Sequence, residues 1–480
     1  MIKQILVIDL RKLEEKFNLM NILEIYKNKQ IYLSPHSPMT LVLKQYLLKF
    51  DIKILGFIDK NKEGENIFKI ENLSSNFDYI FILSPNHFNA IYESYLNFFS
   101  KEKLIKVEIK AGNYSFINSV KKEEKRFFYE PIKMQINRNK FVFISKGFIS
   151  ANNKAFYIYC LKNKIDATIL TDNKEQIEEL KQYKLPYEIL DTKESDYEIA
   201  IAKYIIFDQG NYTYLPKLHY SQKTIQLWHG VGLKKMSKMN NITYDYFIST
   251  SNWTNETNFK NIFSAKEFLN FGYPRNDIFF KEEDDLDFIF CDRLILKIIL
   301  DNKDKKIVLY TPTHRENNNN LLLDFDSLND KLKQLNTIFI VKLHPFILEF
   351  YSKIEEKTYS NIFFHNAFGD IYPLLKYIDI LVSDYSSIVY DFLLLNKPIV
   401  FYIYDINEYK KNVSLLFDFD EYSPGIKVYN QNELIESFLK EDIYKERREQ
   451  IRDKFFDENK QFASKNILDK ILLNDLKVKK

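Results

Sequence analysis

Asp379-Ile-Leu-Val-Ser-Asp-Tyr-Ser-Ser-Ile-Val-Tyr-Asp-Phe-Leu-Leu-Leu-Asn-Lys-Pro398, continued by Ile-Val-Phe-Tyr-Ile-Tyr404, decides the fold class. Asp379–Ser383 and Pro398–Tyr404 are short, apolar and β-rich, and both read as strands. Between them a helix starts near Ser386 and ends before Pro398, which cannot continue it. Strand, helix and strand in that order form a crossover unit of a parallel sheet with helices on its faces.

The same alternation runs along the chain in both directions. Lys306–Thr311, Thr337–Leu343 and Ile362–His365 are further strands of this region, and the residues from about Asn432 read as helix. Phe141–Ser145, Ala167–Leu170, Tyr204–Asp208 and Thr224–Leu227 are strands of a preceding region, with a helix at Asn153–Lys162. The acidic stretch Lys281–Asp287 loses strand character and reads as the hinge between the two. A first region has strands at Ile5–Asp9, Gln30–Ser34, Ile52–Ile58, Tyr79–Ser84 and Leu104–Ile109, with helices at Met39–Phe50 and Asn89–Ser100. Ile54-Leu-Gly-Phe-Ile-Asp59 resembles the second strand of a small Rossmann-like domain. Pro35, His36, Ser37 and Pro38 stand where a glycine-rich pyrophosphate turn would be, so a dinucleotide site is not expected there. His36 and His87 read as loop histidines. The expected organisation is α/β throughout: a Rossmann-like accessory domain at 1–120, a linker at 121–140, and two Rossmann-like domains at 141–285 and 286–480. Two such domains facing a cleft are the GT-B architecture.

Composition excludes several classes. Hydrophobic residues make up 45% and charged residues 28%, which suits a folded globular chain. The 69 basic and 66 acidic residues nearly balance, so nucleic acid is not an expected partner. Lys, Asn, Ile, Phe and Tyr rise together, so the aromatic excess reads as base-composition bias rather than a stacking surface. Cys160 and Cys291 lack any paired spacing, so neither a disulfide framework nor a structural zinc site is expected. No signal peptide and no window of about 18 apolar residues is found. A cytoplasmic protein is expected. The lysines of Lys121–Arg126 and the end Leu476-Lys-Val-Lys-Lys480 read first as solvated segments, and secondarily as contacts for anionic lipid.

Four clusters sit at strand ends, where ligands bind in open α/β sheets. In Gln226-Leu-Trp-His-Gly-Val-Gly-Leu-Lys-Lys235 a strand delivers His229, and the glycines let the backbone approach a substrate. A histidine so placed suits a general base, and an ordinary turn would look the same. Lys234 and Lys235 fall at an expected helix start. Tyr310-Thr-Pro-Thr-His-Arg315 ends a strand in hydroxyls and an arginine fork matched to phosphate, or to a surface ion pair. Val341-Lys-Leu-His-Pro345 delivers His344, with Lys342 and Leu343 on opposite faces. Ser383-Asp-Tyr-Ser-Ser-Ile-Val-Tyr-Asp391 leads into a helix start whose free N–H groups and serine hydroxyls suit phosphate, though serine and aspartate are also the best helix caps. Asp391, one turn in, reads as a ribose acceptor or as a solvated helix residue.

Taken as an ordered set, Trp228-His-Gly…Leu233-Lys-Lys, Gly272-Tyr-Pro-Arg-Asn-Asp277, Tyr310-Thr-Pro-Thr-x-Arg315, His344-Pro345 and Ser383-Asp-Tyr-Ser-Ser…Asp391-Phe…Lys397-Pro398 resemble the CDP-glycerol glycerophosphotransferase family. These are teichoic acid and capsule polymer primases and polymerases. The resemblance spans roughly Phe141 to Ile471. It implies transfer of a phosphoalditol, glycerol phosphate from CDP-glycerol in the first instance, to a hydroxyl of a polysaccharide or lipid-linked acceptor, with CMP released. It implies His229 as the base and His344 at the pyrophosphate. Gly230, Lys234, Arg275, Thr313, Arg315, Lys342, Ser383, Asp384, Ser386 and Ser387 would line the substrate, with Asp391 near the ribose. It implies no cofactor and no metal, peripheral contact with the inner membrane face, and leaves homo-oligomerisation open. Gly232 replaces a proline common in the family, and His314 an aromatic residue. Two other readings fit the same fold: a GT-B glycosyltransferase using a nucleotide sugar, and a non-catalytic nucleotide-binding subunit of a capsule complex.

Overall fold

The computed structural model describes residues 26–73, 76–84, 87–110, 113–117, 127–209, 215–239, 242–313, 322–343, 358–457 and 461–477. The expected strand Ile5–Asp9, the Lys121–Arg126 stretch, His314, Arg315, His344, Pro345 and the last three residues lie outside these. The chain divides into two compact units, one ending at Arg126 and one beginning at Phe127.

The first unit holds β1 (Gln30–Ser34), β2 (Lys53–Ile58), β3 (Ile67–Phe68), β4 (Tyr79–Ile82), β5 (Leu104–Lys110) and β6 (Asn113–Ile117). Their order is β3-β2-β1-β4-β5-β6, parallel except for the β5–β6 hairpin. Alternate residues serve the two faces: Ile31, Leu33 and Phe81 on one, Tyr32, Ile80 and Ile82 on the other. Both faces are buried, which is why the strands read as unbroken apolar runs.

The second unit contains two sheets. β7 (Asn137–Ser145), β8 (Asp166–Thr171), β9 (Tyr187–Ile189), β10 (Ala202–Phe207), β11 (Lys223–Gln226), β12 (Thr243–Ile248) and β13 (Ser264–Leu269) form one. Its order is β13-β12-β11-β10-β7-β8-β9, all parallel. β14 (Lys306–Thr311), β15 (Thr337–Val341), β16 (Ile362–Phe364), β17 (Ile380–Ser383), β18 (Ile399–Tyr402) and β19 (Ile426–Val428) form the other. Its order is β16-β15-β14-β17-β18-β19, again all parallel. Most expected strands fall within a few residues of these. β7 begins at Asn137, inside the stretch expected to be linker.

One apolar core runs through both halves of this unit, joining Val142, Phe207 and Trp228 to Leu309, Leu381 and Tyr390. The acidic stretch expected as a hinge is pinned to its surroundings. Lys281 pairs with Asp287 at 2.6 Å, Lys154 donates to the Asp287 carbonyl at 2.8 Å, and Lys376 pairs with Glu283 at 2.6 Å. The final helix, Ala463–Lys477, belongs to the first half of the unit and not to the second, contrary to the expected boundary. Its Ile467, Leu468 and Ile471 enter the core of the seven-stranded sheet. Asp277 caps it, accepting the N–H groups of Ala463 and Ser464 at 2.7 and 2.9 Å.

Candidate active site

Each sheet of the second unit reverses its strand order once, between β7 and β10 and between β14 and β17. The crevice outside the strand ends at such a point is where ligands bind. Asp208 follows β10, and Trp228, His229 and Gly230 follow β11. Thr313 follows β14, and Ser383 to Ser387 close β17 and lead on from it.

The turn that carries His229 is held from several sides. Trp228 has φ +56° and Gly230 φ +136°, conformations that a side chain rarely adopts. Asn152, fully buried at the start of the helix Ala151–Lys162, donates to the Trp228 carbonyl at 2.7 Å. The side-chain carbonyl of Gln226 accepts the Trp228 N–H at 2.9 Å. Arg275 donates to the His229 carbonyl at 3.0 Å. His229 Nδ1 lies 2.9 Å from the backbone carbonyl of Asp208. A carbonyl only accepts, so Nδ1 carries the proton and Nε2 presents a lone pair. His229 keeps solvent-accessible surface, yet its ring is densely surrounded by protein. Burial first, then the Arg275 charge, push its pKa down from 6.5 to about 4, against the Asp208 carbonyl, which raises it. A histidine so placed is neutral at neutral pH and free to take a proton.

Gly230 brings the two halves into contact. A Cβ added there would lie 2.9 Å from Ser387 Oγ and 3.1 Å from Arg275 Nη2. Only glycine fits, for its positive φ and for that approach. Ser386 and Ser387 are half-buried, and the Ser387 side chain makes no capping bond. The helix they introduce is shorter than expected: Ile388–Phe392, then a tighter turn at Leu393–Leu395. Its dipole is correspondingly small, so an anion at this corner would depend on the two hydroxyls rather than on the helix.

The other expected substrate contacts separate into two groups. Lys234 is exposed, but no helix starts there. It pairs in a short antiparallel bridge with Leu415, and Lys235 N–H donates to the Ser414 carbonyl. Six others are engaged by the protein itself. Lys342 gives its ammonium to the carbonyls of Asn366, Ala367 and Gly369 at 3.2, 2.9 and 3.0 Å. An ammonium has three donors, so none is left for a ligand. Burial lowers its pKa to about 8, against the raising effect of Asp370 and Asp292. Asp384 accepts the Thr313 N–H at 3.0 Å and the Thr313 hydroxyl at 2.6 Å, and so holds Thr313 against the end of β17. Ser383, fully buried, ties β17 to the Thr311 carbonyl at 2.9 Å. Arg275 and Asp391 are 6% and 2% exposed and form an interior ion pair at 2.6 Å. Asp391 is therefore not a solvated helix residue, and its oxygens are taken by Arg275, Asn276 and Tyr372 rather than presented to a ribose. Arg315 and His344 lie outside the described residues.

Residues absent from the sequence reading complete the corner. Ser150 hydrogen-bonds the buried Asp208 carboxyl, whose pKa burial raises to about 7. Asn152 and Tyr372 were also missed. Asp208 and Ser150 had a signal, as polar residues closing a strand and opening a helix. Tyr372 had none, because no local pattern ties it to Asp391 or to Arg275. Among the described residues no group of three or more His, Cys, Asp or Glu is placed to hold a metal ion, and no helix is long and apolar enough to cross a membrane.

Two doubly wound parallel sheets whose strand ends approach each other at Gly230 and Ser387 define a GT-B-like fold. Residues 127–473 match the CDP-Glycerol:Poly(glycerophosphate) glycerophosphotransferase family, which is most of the chain, and the chain belongs to that family of enzymes. The match begins where the second compact unit begins. The chain is similar to a teichoic acid poly(glycerol phosphate) polymerase of Bacillus spizizenii, 31% identical over 307 residues, covering 57% of this chain and 75% of that protein. It is also similar to a teichoic acid poly(ribitol-phosphate) polymerase of the same organism, 25% identical over 488 residues, covering 90% and 75%. The solved structure of the wall teichoic acid polymerase TagF shares the fold, with a TM-score of 0.56 at 23% identity, covering 72% of this chain and 90% of that one.

Proposed function

We propose that this enzyme transfers glycerol phosphate from CDP-glycerol to a terminal hydroxyl of a teichoic-acid-like polymer. His229 Nε2 takes the proton of the acceptor hydroxyl. The oxygen attacks the β-phosphorus of the donor, a new P–O bond forms, and the bond to the CMP phosphate breaks. CMP leaves with the electron pair, and the proton on His229 passes to solvent. Ser386 and Ser387 hold phosphate oxygens, Lys234 adds positive charge at the rim, and Arg315 and His344 serve the pyrophosphate by family resemblance. Catalysis of this kind is positioning and charge stabilisation.

The observation that carries the reading is the contact of Gly230 with Ser387. It supports the reading because the turn that carries His229, with its fixed tautomer, then lies beside the Ser387 hydroxyl. A ribitol donor is the second reading, favoured by the relative that aligns with 90% of this chain. A lipid-linked acceptor would place the enzyme on the inner membrane face by peripheral contact.

Purified enzyme is incubated with CDP-glycerol, CDP-ribitol or nucleotide sugars and a short polymer acceptor, and the nucleotide product is separated by chromatography. CMP formed only from a CDP-alditol and only with acceptor is the expected result. A nucleoside diphosphate formed from a sugar would replace phosphoalditol transfer with glycosyl transfer.

A further inference from the structure

Five buried or half-buried side chains from four separate segments converge behind His229. Asn152 uses both ends of its amide. It donates to the Trp228 carbonyl at 2.7 Å and accepts the Arg275 N–H at 3.1 Å. Arg275 donates through Nη1 to the His229 carbonyl at 3.0 Å and through Nη2 to Asp391 at 2.6 Å. Asn276 and the Tyr372 hydroxyl also donate to the Asp391 carboxylate, each at 2.8 Å. The Arg275 guanidinium lies 4.5 Å from the Tyr372 ring centre. Asn152 opens a helix on the seven-stranded half, while Asp391 stands one turn after Ser387 on the six-stranded half.

A buried ion pair is a weak source of stability, because desolvation offsets most of the attraction. It is a strong source of geometry, because moving either partner leaves a buried charge unpaired. Here the pair fixes the backbone of the one turn whose strained dihedrals present the base. We infer that Asn152 and Asp391 are positioning residues for His229, acting on its turn directly and through Arg275, so that the base is registered to the half of the enzyme that carries Ser386 and Ser387. This rests on His229 being the base. It gives Asp391 a reason to be a carboxylate without touching substrate, and it couples the two halves at the point where base and donor must meet to within a fraction of an ångström.

The test is a double-mutant cycle in the full chain, reading CMP release from CDP-glycerol with a short poly(glycerol phosphate) acceptor. Asp391→Asn, Asn152→Ala and Tyr372→Phe are each made alone and in a His229→Ala background. Asp391→Asn and Asn152→Ala are expected to lower kcat by about 10-fold or more, with the donor KM within about twofold. Tyr372→Phe, which leaves the ion pair in place, should lower it by less. In the His229→Ala background all three should cost little further turnover, because the group they position is gone. The same loss in both backgrounds, or a loss confined to donor KM, would overturn the inference while leaving His229 as the base. Near-normal turnover of His229→Ala would remove the base assignment, and the inference with it. If Asp391→Asn does not fold, Asn152→Ala and Tyr372→Phe decide the matter in the same cycle.

Discussion

The first unit and the C-terminal half of the second share a strand order, with one reversal each at β1/β4 and at β14/β17. They differ in what stands at the reversal. After β1, Ser37 caps the helix Pro38–Leu47 by accepting the Thr40 N–H at 3.2 Å, and Thr40 returns a bond to the Ser37 N–H at 3.0 Å. Asp59, at the end of β2, accepts the N–H groups of His36, Asn61 and Lys62 at 3.1, 2.8 and 2.9 Å. The backbone N–H groups of that corner are taken by its own side chains, and of its polar atoms the buried His36 Nδ1 is left without a partner. After β17, Ser387 caps nothing and meets Gly230 of the facing sheet. The same topology yields a closed structural corner in one place and an open polar corner in the other. The side chains at the strand ends make the site, and the fold only supplies the place for it.

Four measurements would break or sharpen that contrast. The largest effect is expected at His229. His229→Ala should lower turnover at least ~10²-fold, as should His344→Ala on the family resemblance, while His36→Ala should change it less than about twofold. CMP release under saturating donor and acceptor measures all three, and a His36 effect as large as that of His229 would erase the distinction between the corners. The next effect separates the serines. Ser386→Ala combined with Ser387→Ala should raise the donor KM about 10-fold or more, through lost hydrogen bonds to a charged ligand. Ser37→Ala should instead cost about 1 kcal/mol in the stability of the first unit, with no change in KM.

The third concerns pH. His229 works only when neutral, and its pKa is pushed down to about 4. Activity should therefore stay level as the pH falls through 6.5 and decline only on approach to about 4. An acid limb centred at 6.5 or above would show that neither the surrounding protein nor the Arg275 charge lowers the ring's pKa. The smallest effect is one of stability. The Asp208 carboxyl, raised to about 7 by burial, keeps its proton in the folded protein up to that pH, whereas the unfolded chain loses it near ~3.9. Stability from this group falls as pH rises between those values. Asp208→Asn has no such loss, so its melting temperature relative to wild type should rise by about a few degrees between pH 5 and pH 8. An unchanged difference would mean that the carboxyl is ionised in the fold.

Much of the architecture was legible in the sequence because both faces of every sheet are buried. Continuous apolar runs such as Lys306–Thr311 and Gln30–Ser34 have few other ways to fold, and their bounds were read as they stand. The strand-end clusters were legible for the same reason, since a strand that ends in His229 or Ser383 can only deliver it to the sheet's edge. Direction was not legible. Lys342, Ser383 and Asp384 sit at the correct edge but turn inward, toward carbonyls and N–H groups contributed by segments 24 to 72 residues away. The final helix was assigned to the wrong half because nothing local to Ala463–Lys477 records that Asp277 will cap it.

The sequence by itself therefore determined the parallel α/β class, the succession of strands and helices along the chain, the points at which polar residues emerge, and the family through an ordered set of short motifs. These depend on local periodicity and on residue type, which are properties of neighbouring positions along the chain. Only the tertiary structure decided which of those polar residues face a ligand and which face each other. That depends on pairings such as Arg275 with Asp391, 116 residues apart, and Asn152 with Trp228, 76 apart. A side chain's free donors can be counted only after its partners have arrived, and those partners come from parts of the chain that no local pattern connects.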